Sequence, residues 1–240
     1  SVLPSYISEG SGTLNGGYIY SVATLPEHRG KGYAGLLIEE VARICKNSGY
    51  AYLVVKPASA ELFPYYEKLK FSIRITSSRT VIDRHVFSPQ SDISCIAKPL
   101  TGKIMHKLRV RSLSGYYFLT IPKIVNYAVN ECISRGGVSA ILEKKSIPPS
   151  TQLYCLAYPD ENDPGTIILI ETNAKTNSES EMVFGYLFNH YKEAVKILFS
   201  THNSFFPYSG FTGITSALAL SFKEEYIPVI ESRHFSLPIE

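Results

Sequence analysis

One short segment limits what this chain can fold into more than any other: Pro26-Glu27-His28-Arg29-Gly30-Lys31-Gly32-Tyr33-Ala34-Gly35. It follows an aromatic and β-branched run, Tyr18-Ile19-Tyr20-Ser21-Val22-Ala23-Thr24, that reads as a strand. After it, Ala34, Leu37, Ile38, Val41, Ala42 and Cys45 recur at helical spacing on one face, while Glu39, Glu40, Arg43 and Lys46 take the other. Gly49 suits the residue just past the helix end, and Tyr50 to Val55 reads as a second strand. A strand, loop, helix, strand unit favours a parallel pair with a right-handed crossover. Glycines in such a loop let the backbone turn tightly and bring successive N–H groups close to a ligand. The helix start adds its orphan donors and the positive end of its dipole. With the charges of Arg29 and Lys31 at the same place, the segment is a seat for a pyrophosphate.

Two other phosphate motifs fit less well. A Walker A loop is excluded, because no Gly-Lys-Ser or Gly-Lys-Thr follows a four-residue gap. The string Gly30-x-Gly32-x-x-Gly35 matches a dinucleotide fingerprint, but there the first glycine closely follows the strand and an acidic residue ends the next one. Here Leu25 to Arg29 intervene, and the following strand ends Val55-Lys56-Pro57.

Composition narrows the class of protein. The 240 residues carry 24 Lys plus Arg against 21 Asp plus Glu, and a net charge of +3 does not by itself imply a nucleic-acid or membrane partner. With 45% hydrophobic and 19% charged residues there is material for a sizeable core. No apolar run approaches the roughly 20 residues of a membrane helix. Cys45, Cys95, Cys132 and Cys155 are widely spaced with no C-x-x-C pair, which indicates neither a zinc ribbon nor a dense disulfide framework. A reducing cytoplasm and no metal are therefore expected. The opening Ser1-Val2-Leu3-Pro4 has no initiating Met, basic region or apolar region, so it does not read as a signal peptide and suggests a start partway through a gene product.

Arg29-Gly30-Lys31-Gly32-Tyr33-Ala34 resembles the Arg/Gln-x-x-Gly-x-Gly/Ala signature of the GNAT superfamily of acyl-CoA-dependent N-acyltransferases. The neighbours agree: Tyr18 to Thr24 is similar to that family's fourth strand, the helix from Tyr33 to its pyrophosphate helix, and Tyr50 to Val55 to its fifth strand. Phe63-Pro64-Tyr65-Tyr66-Glu67-Lys68-Leu69-Lys70-Phe71 resembles the Tyr-x-x-x-Gly-Phe ending of its second cofactor motif, with Lys70 in place of the usual glycine. The resemblance implies acetyl-CoA as co-substrate and no metal. Arg29, Gly30, Lys31, Gly32, Tyr33 and Ala34 would hold the pyrophosphate, and backbone groups of Val22, Ala23 and Thr24 the amide-bearing arm. By its place in the string, Tyr66 resembles the residue that serves many members as general acid to the departing sulfur.

Each of these residues also has a plainer reading. Tyr66 is one of 17 tyrosines and could be a packed aromatic, and Arg29 and Lys31 could be solvated loop charges. His28 reads as structural rather than as a base, since no orienting carboxylate is evident, and Cys45 as a core residue on the apolar face. Glu9, Tyr20 and Ser21 lie near the fourth strand, but no general base is assigned among them. The family match begins at Gly17, with no room before it for the usual early strands and helices. Ser1 to Ile7 could supply a third strand, and either the sequence is a fragment or another segment completes the sheet.

Beyond Phe71 two short strands are expected, Ser72 to Thr76 and Thr80 to Val86, and then a domain boundary within Ser88 to Thr101. The division is residues 1–98 as a GNAT acetyl-CoA-binding domain and residues 99–240 as a second α/β domain. In the latter, Val125, Ala128, Val129 and Cys132 mark a helix closed by Gly136-Gly137, and Thr166 to Ile170 a buried strand. Val183, Leu187, Tyr191, Ala194, Val195 and Leu198 mark a longer helix. Its strand-to-helix connector, Glu171 to Ser180, is acidic and glycine-free and should repel a pyrophosphate. Element order alone makes this half resemble a degenerate GNAT-like unit that walls the acceptor cleft or mediates an interface. The expected fold is α/β with a mixed sheet. The expected activity is transfer of an acetyl group from acetyl-CoA to a primary amine of a small molecule or peptide, with a homo-oligomer possible and no nucleic-acid or membrane partner. The alternative is a noncatalytic acyl-CoA-binding sensor or scaffold.

Overall fold

Strands β1 (Val2–Glu9) and β2 (Gly12–Ile19) pair antiparallel, with Val2 opposite Ile19, and β2 continues into a parallel pair with β3 (Tyr52–Val55) through helix α1 (Tyr33–Asn47). A short helix α2 (Phe63–Lys68) then leads into β4 (Ile73–Asp83). The computed structural model describes residues 1–9, 12–88, 94–144, 152–201 and 212–234. The pairing of β2 with its two neighbours depends on two glycines within the strand. A Cβ on Gly16 would lie 2.5 Å from Cζ of Tyr52, whose ring crosses this position to reach Oγ of Ser5 at 2.9 Å, and a Cβ on Gly17 would meet Val2 and Leu53.

The later half repeats this plan. After β5 (Cys95–Pro99), α3 (Gly102–Leu113), β6 (Leu119–Thr120), α4 (Pro122–Ser134) and β7 (Val138–Lys144) come β8 (Leu153–Pro159), β9 (Thr166–Thr172), α5 (Asn177–His190), β10 (Lys196–Thr201), β11 (Thr212–Ser221) and α6 (Ile227–Glu231). All the described strands form one sheet in the order β5-β7-β8-β9-β10-β4-β11-β3-β2-β1-β6. From β8 to β1 that order is palindromic in role. β8/β9 and β1/β2 are antiparallel hairpins, β9/β10 and β2/β3 are parallel pairs bridged by a helix, and β4 and β11 exchange places at the centre. Strand β4 pairs with β10 of the later half, and β11 pairs with β3 of the earlier half. The fold is therefore α/β with a mixed sheet, as expected. The expected boundary after residue 98 falls inside β5, and the sheet is continuous across it.

Other segments complete the first half. Strand β6 adds to the free edge of β1 at Ser5 and Tyr6. On one sheet face, Ile19, Leu53, Val55 and Leu218 pack beneath α1 through Ile38 and Cys45. On the other, Tyr18, Tyr52, Ile73 and Ala217 are closed by Phe118, by Ala128 of α4 and by Ile230 of α6, with the Tyr52 and Phe118 rings 5.4 Å apart, edge to face.

Four expectations change. The strand expected over Tyr18 to Thr24 ends at Ile19. The two strands expected between Ser72 and Val86 are the single β4, whose buried Ser77 is satisfied by Ser216 Oγ at 2.7 Å and His234 Nδ1 at 2.6 Å, partners far away in sequence. The long helix expected from Val183 to Leu198 stops at His190, and Leu198 belongs to β10, because Ile197-Leu198-Phe199 is an apolar run that suits either element. On α1, Leu37 is 56% exposed, since the helix turns Ile38 and Cys45 toward the sheet. The helix closed by Gly136-Gly137 is α4, and Thr166 to Ile170 lies within β9.

Gly16→Val should force the Tyr52 ring from its contact with Phe118 and cost roughly 1–3 kcal/mol, seen as a melting temperature lower by several degrees. Gly213→Ala, where an added Cβ meets nothing within 4 Å, should leave that temperature unchanged or slightly raised. Equal effects from the two substitutions would refute this account of the hairpin.

Candidate functional site

Strands β2 and β3 are hydrogen-bonded only as far as the Ile19–Val55 pair. Beyond it the chains part, Tyr20 to Thr24 on one side and Lys56 to Ser59 on the other, and a cavity of about 480 Å³ lies between them. Ser21, Val22, Lys56, Pro57, Leu62 and Tyr66 line it. The parting begins where Ser21 adopts a left-handed conformation, φ 55°, which a non-glycine residue seldom takes. No backbone hydrogen bond to Val22 or Ala23 occurs among the described residues. Val22 and Tyr66 thus share one cavity, while Ala23 and Thr24 lie outside its lining. Val22 and Ala23 have left the strand and make no ladder hydrogen bonds, while the Thr24 carbonyl is taken by Arg29.

The glycine loop stands beside this opening, with residues 25–33 all exposed. Gly30 and Gly32 have φ of 76° and 81°, conformations that favour glycine, and an added Cβ on either would meet only open space. Gly32 is the residue before α1, no side chain caps that helix, and its first main-chain acceptor is filled by the N–H of Leu36. The N–H groups of Tyr33, Ala34 and Gly35 therefore lack intrahelical acceptors and face outward with the helix dipole. Arg29 donates from Nε to the Thr24 carbonyl at 3.1 Å, which pins the loop to the parted strand and leaves the rest of its guanidinium exposed. Lys31 Nζ lies 3.5 Å from Nδ1 of His28, and the His28 ring meets that of Tyr33 edge on at 6.1 Å. His28 is a loop contact with no carboxylate beside it.

Tyr66 is 8% exposed, its ring edge on to Tyr65 at 5.2 Å and to Phe71 at 6.1 Å. Burial, and then the neighbouring Tyr65, raise its hydroxyl above the usual tyrosine value, so it holds its proton at neutral pH. Both the packing role and a donor role are compatible with this placement. The turn after α2 is made by Lys70 at φ 69°, the left-handed conformation that glycine would supply. Lysine at this position keeps the turn, and the N–H of Phe71 still reaches the Tyr66 carbonyl at 3.2 Å.

Residues 6–71 match the model of the Acetyltransferase (GNAT) family. The matched segment is about a quarter of the chain and holds the glycine loop, α1, β3 and α2. No curated protein matches the chain. Among solved structures it is similar to a GCN5-related N-acetyltransferase from Anabaena variabilis, with a TM-score of 0.66, 16% identity, and 91% of this chain and 58% of the other covered. A conserved protein of unknown function from Enterococcus faecalis gives 0.68 and 14%, covering 91% and 57%. Eis1 from Mycobacterium abscessus gives 0.64 and 11%, covering 92% and 60%. At these identities the likeness is one of fold. This chain spans less than two thirds of each of those structures.

The GNAT-type loop of the first half has a counterpart between β9 and α5 that is built differently. There Thr176 Oγ1 accepts from the N–H of Glu179, and the Glu179 carboxylate accepts from the N–H groups of Thr176 at 3.1 Å and Lys175 at 2.7 Å. Three N–H groups at this helix start, those of Lys175, Thr176 and Glu179, are thus filled by the chain's own side chains. Glu171, read from the sequence as part of an acidic connector, is instead buried and paired with Arg109 Nε at 2.9 Å.

Of the three candidate bases, Tyr20 and Ser21 line the cavity, and Glu9's side chain lies outside the described residues. Burial, followed by the nearby Tyr127 and Glu131 of α4, raises the Tyr20 hydroxyl, which makes it a poor proton acceptor near neutrality. Lys56, Pro57 and Leu62, which no motif marks, are the lining residues that sequence reasoning missed. Their signal was Pro57, one residue beyond the strand end at Val55. Among the described residues no cluster of three or more His, Cys, Asp or Glu could hold a metal, and no helix is long and apolar enough to cross a membrane. Cys45 is buried beneath α1.

Lys70→Gly should relieve the left-handed strain and raise stability by up to about 1 kcal/mol, with a melting temperature a few degrees higher; a fall would mean that the lysine side chain contributes more than its backbone costs. Gly32→Glu should lower coenzyme A affinity at least a hundredfold in calorimetry, by setting a carboxylate against the diphosphate, while circular dichroism shows the fold retained.

Proposed function

We propose that this chain transfers an acetyl group from acetyl-CoA to a primary amine, within a single complex of both substrates. The observation that carries the reading is the juxtaposition of an uncapped helix start behind Gly30 and Gly32 with the cavity between the parted strands, where Val22 and Tyr66 meet. Acetyl-CoA, when bound, supplies a thioester carbonyl that an amine can attack. The N–H groups of Tyr33 and Ala34, with Arg29 and Lys31, would hold its diphosphate through charge-assisted hydrogen bonds of roughly 1.5–3 kcal/mol each. Val22, Ala23 and Thr24 would hold the amide arm as an added strand, and an N–H among them would polarise the carbonyl as charge gathers on its oxygen.

Two protons must move. An alkylamine with pKa near ~10.4 has to arrive at the carbon unprotonated, and a thiolate with a pKa of about 8.5 has to be protonated as it leaves. Tyr66 holds a proton at its hydroxyl for the second step, and its raised pKa keeps that proton in place across the working range. For the first, water carries the proton better than Tyr20, which is itself held protonated.

Tyr66→Phe should reduce kcat by about a hundredfold or more with little change in coenzyme A affinity, read as thiol release with a panel of polyamines, amino acids, aminoglycosides and peptides. Because the folded-state pKa is raised, wild-type kcat should show no basic fall until above the ordinary tyrosine value of 10.0. Unchanged turnover in the Phe variant would remove Tyr66 from the mechanism. Tight coenzyme binding with no turnover on any amine would make the protein a noncatalytic sensor.

A further inference from the structure

A second cavity, of about 410 Å³, lies across the segment Lys56 to Ala58 from the first, and these three residues line both. It is built where the two halves exchange strands. The first half contributes Phe63 and Arg79 of β4, the second Tyr158, Ile168 and Leu198. Its volume is within the range of small-molecule pockets, and its walls are largely aliphatic or aromatic. Its charge is one-sided: Lys56 and Arg79 line it, and no Asp or Glu does. Arg79 is exposed rather than folded into the core, and it makes no ion pair among the described residues. It lies opposite Ser200 in the β4/β10 ladder, held between two neighbouring strands, so its guanidinium projects from a rigid position.

We infer that this junction cavity is a subsite for the carboxylate end of the acceptor, with Arg79 as its charge partner, and that the acceptor is an amine joined to a carboxylate by an apolar spacer. The inference rests on the transferase reading for the amine end. The shared wall places one end of such a molecule at the acyl cavity and the other beside Arg79, with the spacer along Phe63, Tyr158, Ile168 and Leu198. A guanidinium forks onto a carboxylate through two parallel N–H groups, and the apolar walls are there for the spacer. Lys56, which lines both cavities, adds to the same positive field. Arg79 is then a specificity-determining residue and takes no part in the proton transfers.

The test compares straight-chain ω-amino carboxylates of increasing length with their ω-amino amides, which keep the amine and lose the charge. In the wild-type protein the preferred carboxylate should show a KM about tenfold to a hundredfold below that of its amide. Arg79→Gln should abolish that preference by raising KM for the carboxylate alone with kcat nearly unchanged, and Arg79→Lys should restore part of it. Calorimetry with straight-chain alkanoates, which lack an amine, gives a readout free of turnover: binding should weaken at least tenfold in Arg79→Gln. Alkanoate binding that depends on Arg79 without turnover of any amine would retain the subsite and end the transferase reading. Turnover with equal preference for carboxylate and amide, unaltered by Arg79→Gln, would overturn the subsite and leave the transferase reading standing. Equal losses on both acceptors would also overturn it, by making Arg79 a structural residue.

Discussion

Strand β11 lies between β3 and β4, and neither half of the sheet closes without it. A chain that runs from β3 through α2 into β4 leaves a gap one strand wide between them. Filling that gap from the far end of the sequence, and filling the matching gap beside β10 with β4, makes the central antiparallel pair common property of both halves. The long-range contacts are concentrated there, which predicts slow, cooperative folding in place of independent domains, because the entropy of closing such a loop precedes the reward of pairing. The same exchange sets the geometry of function. It places β3 so that its end at Val55 parts from β2, and it brings strands of the second half to within one segment of that opening.

The two halves share a plan, and their helix starts differ in how the first N–H groups are met. Both have a strand leading to a helix whose first N–H groups need acceptors. In α5 a threonine and a glutamate form a reciprocal box that fills the N–H groups of Thr176 and Glu179. In α1 glycines in left-handed conformations do the turning and no side chain does the capping. Acidity of the connector is therefore a lesser effect than occupancy. Glu171 is neutralised in the core by Arg109, with the Tyr154 hydroxyl donating to the same carboxylate at 2.5 Å, and Glu179 acts by filling the donors.

How much of this was legible from sequence divides along a physical line. Local chemistry was readable: the glycine loop, the α1 stripe through Ile38 and Cys45, and the α4 stripe through Val125 and Cys132 all depend on neighbours within a turn or two. What depends on distant partners was not. Ser77-Ser78-Arg79 fell between two expected strands, where three polar residues interrupt the apolar alternation. It is the middle of β4 because Ser216 and His234, more than a hundred residues away, satisfy Ser77. Ser21 was invisible for another reason, and Lys70 was marked only by standing where the family motif has glycine. A left-handed conformation on a non-glycine residue is imposed by the surrounding packing, and no local preference of serine or lysine announces it.

The second half, whose helix start is boxed by Thr176 and Glu179, has physical reasons to be kept, apart from any ligand. It covers the face of the first-half sheet opposite α1 with Phe118 and Ala128, extends the edge of β1 with β6, and supplies β11. Removing it would expose Tyr52, Tyr18 and Ile73 to water and leave β3 and β4 with unpaired edges, a combination that favours aggregation over a smaller stable domain. The strand exchange that makes the second half indispensable to stability also makes it the wall of the junction cavity. Substitutions on Ile168, Leu198 or Tyr158 can thus reshape that wall with the glycine loop untouched, because the loop and the wall are carried by different strands of one sheet.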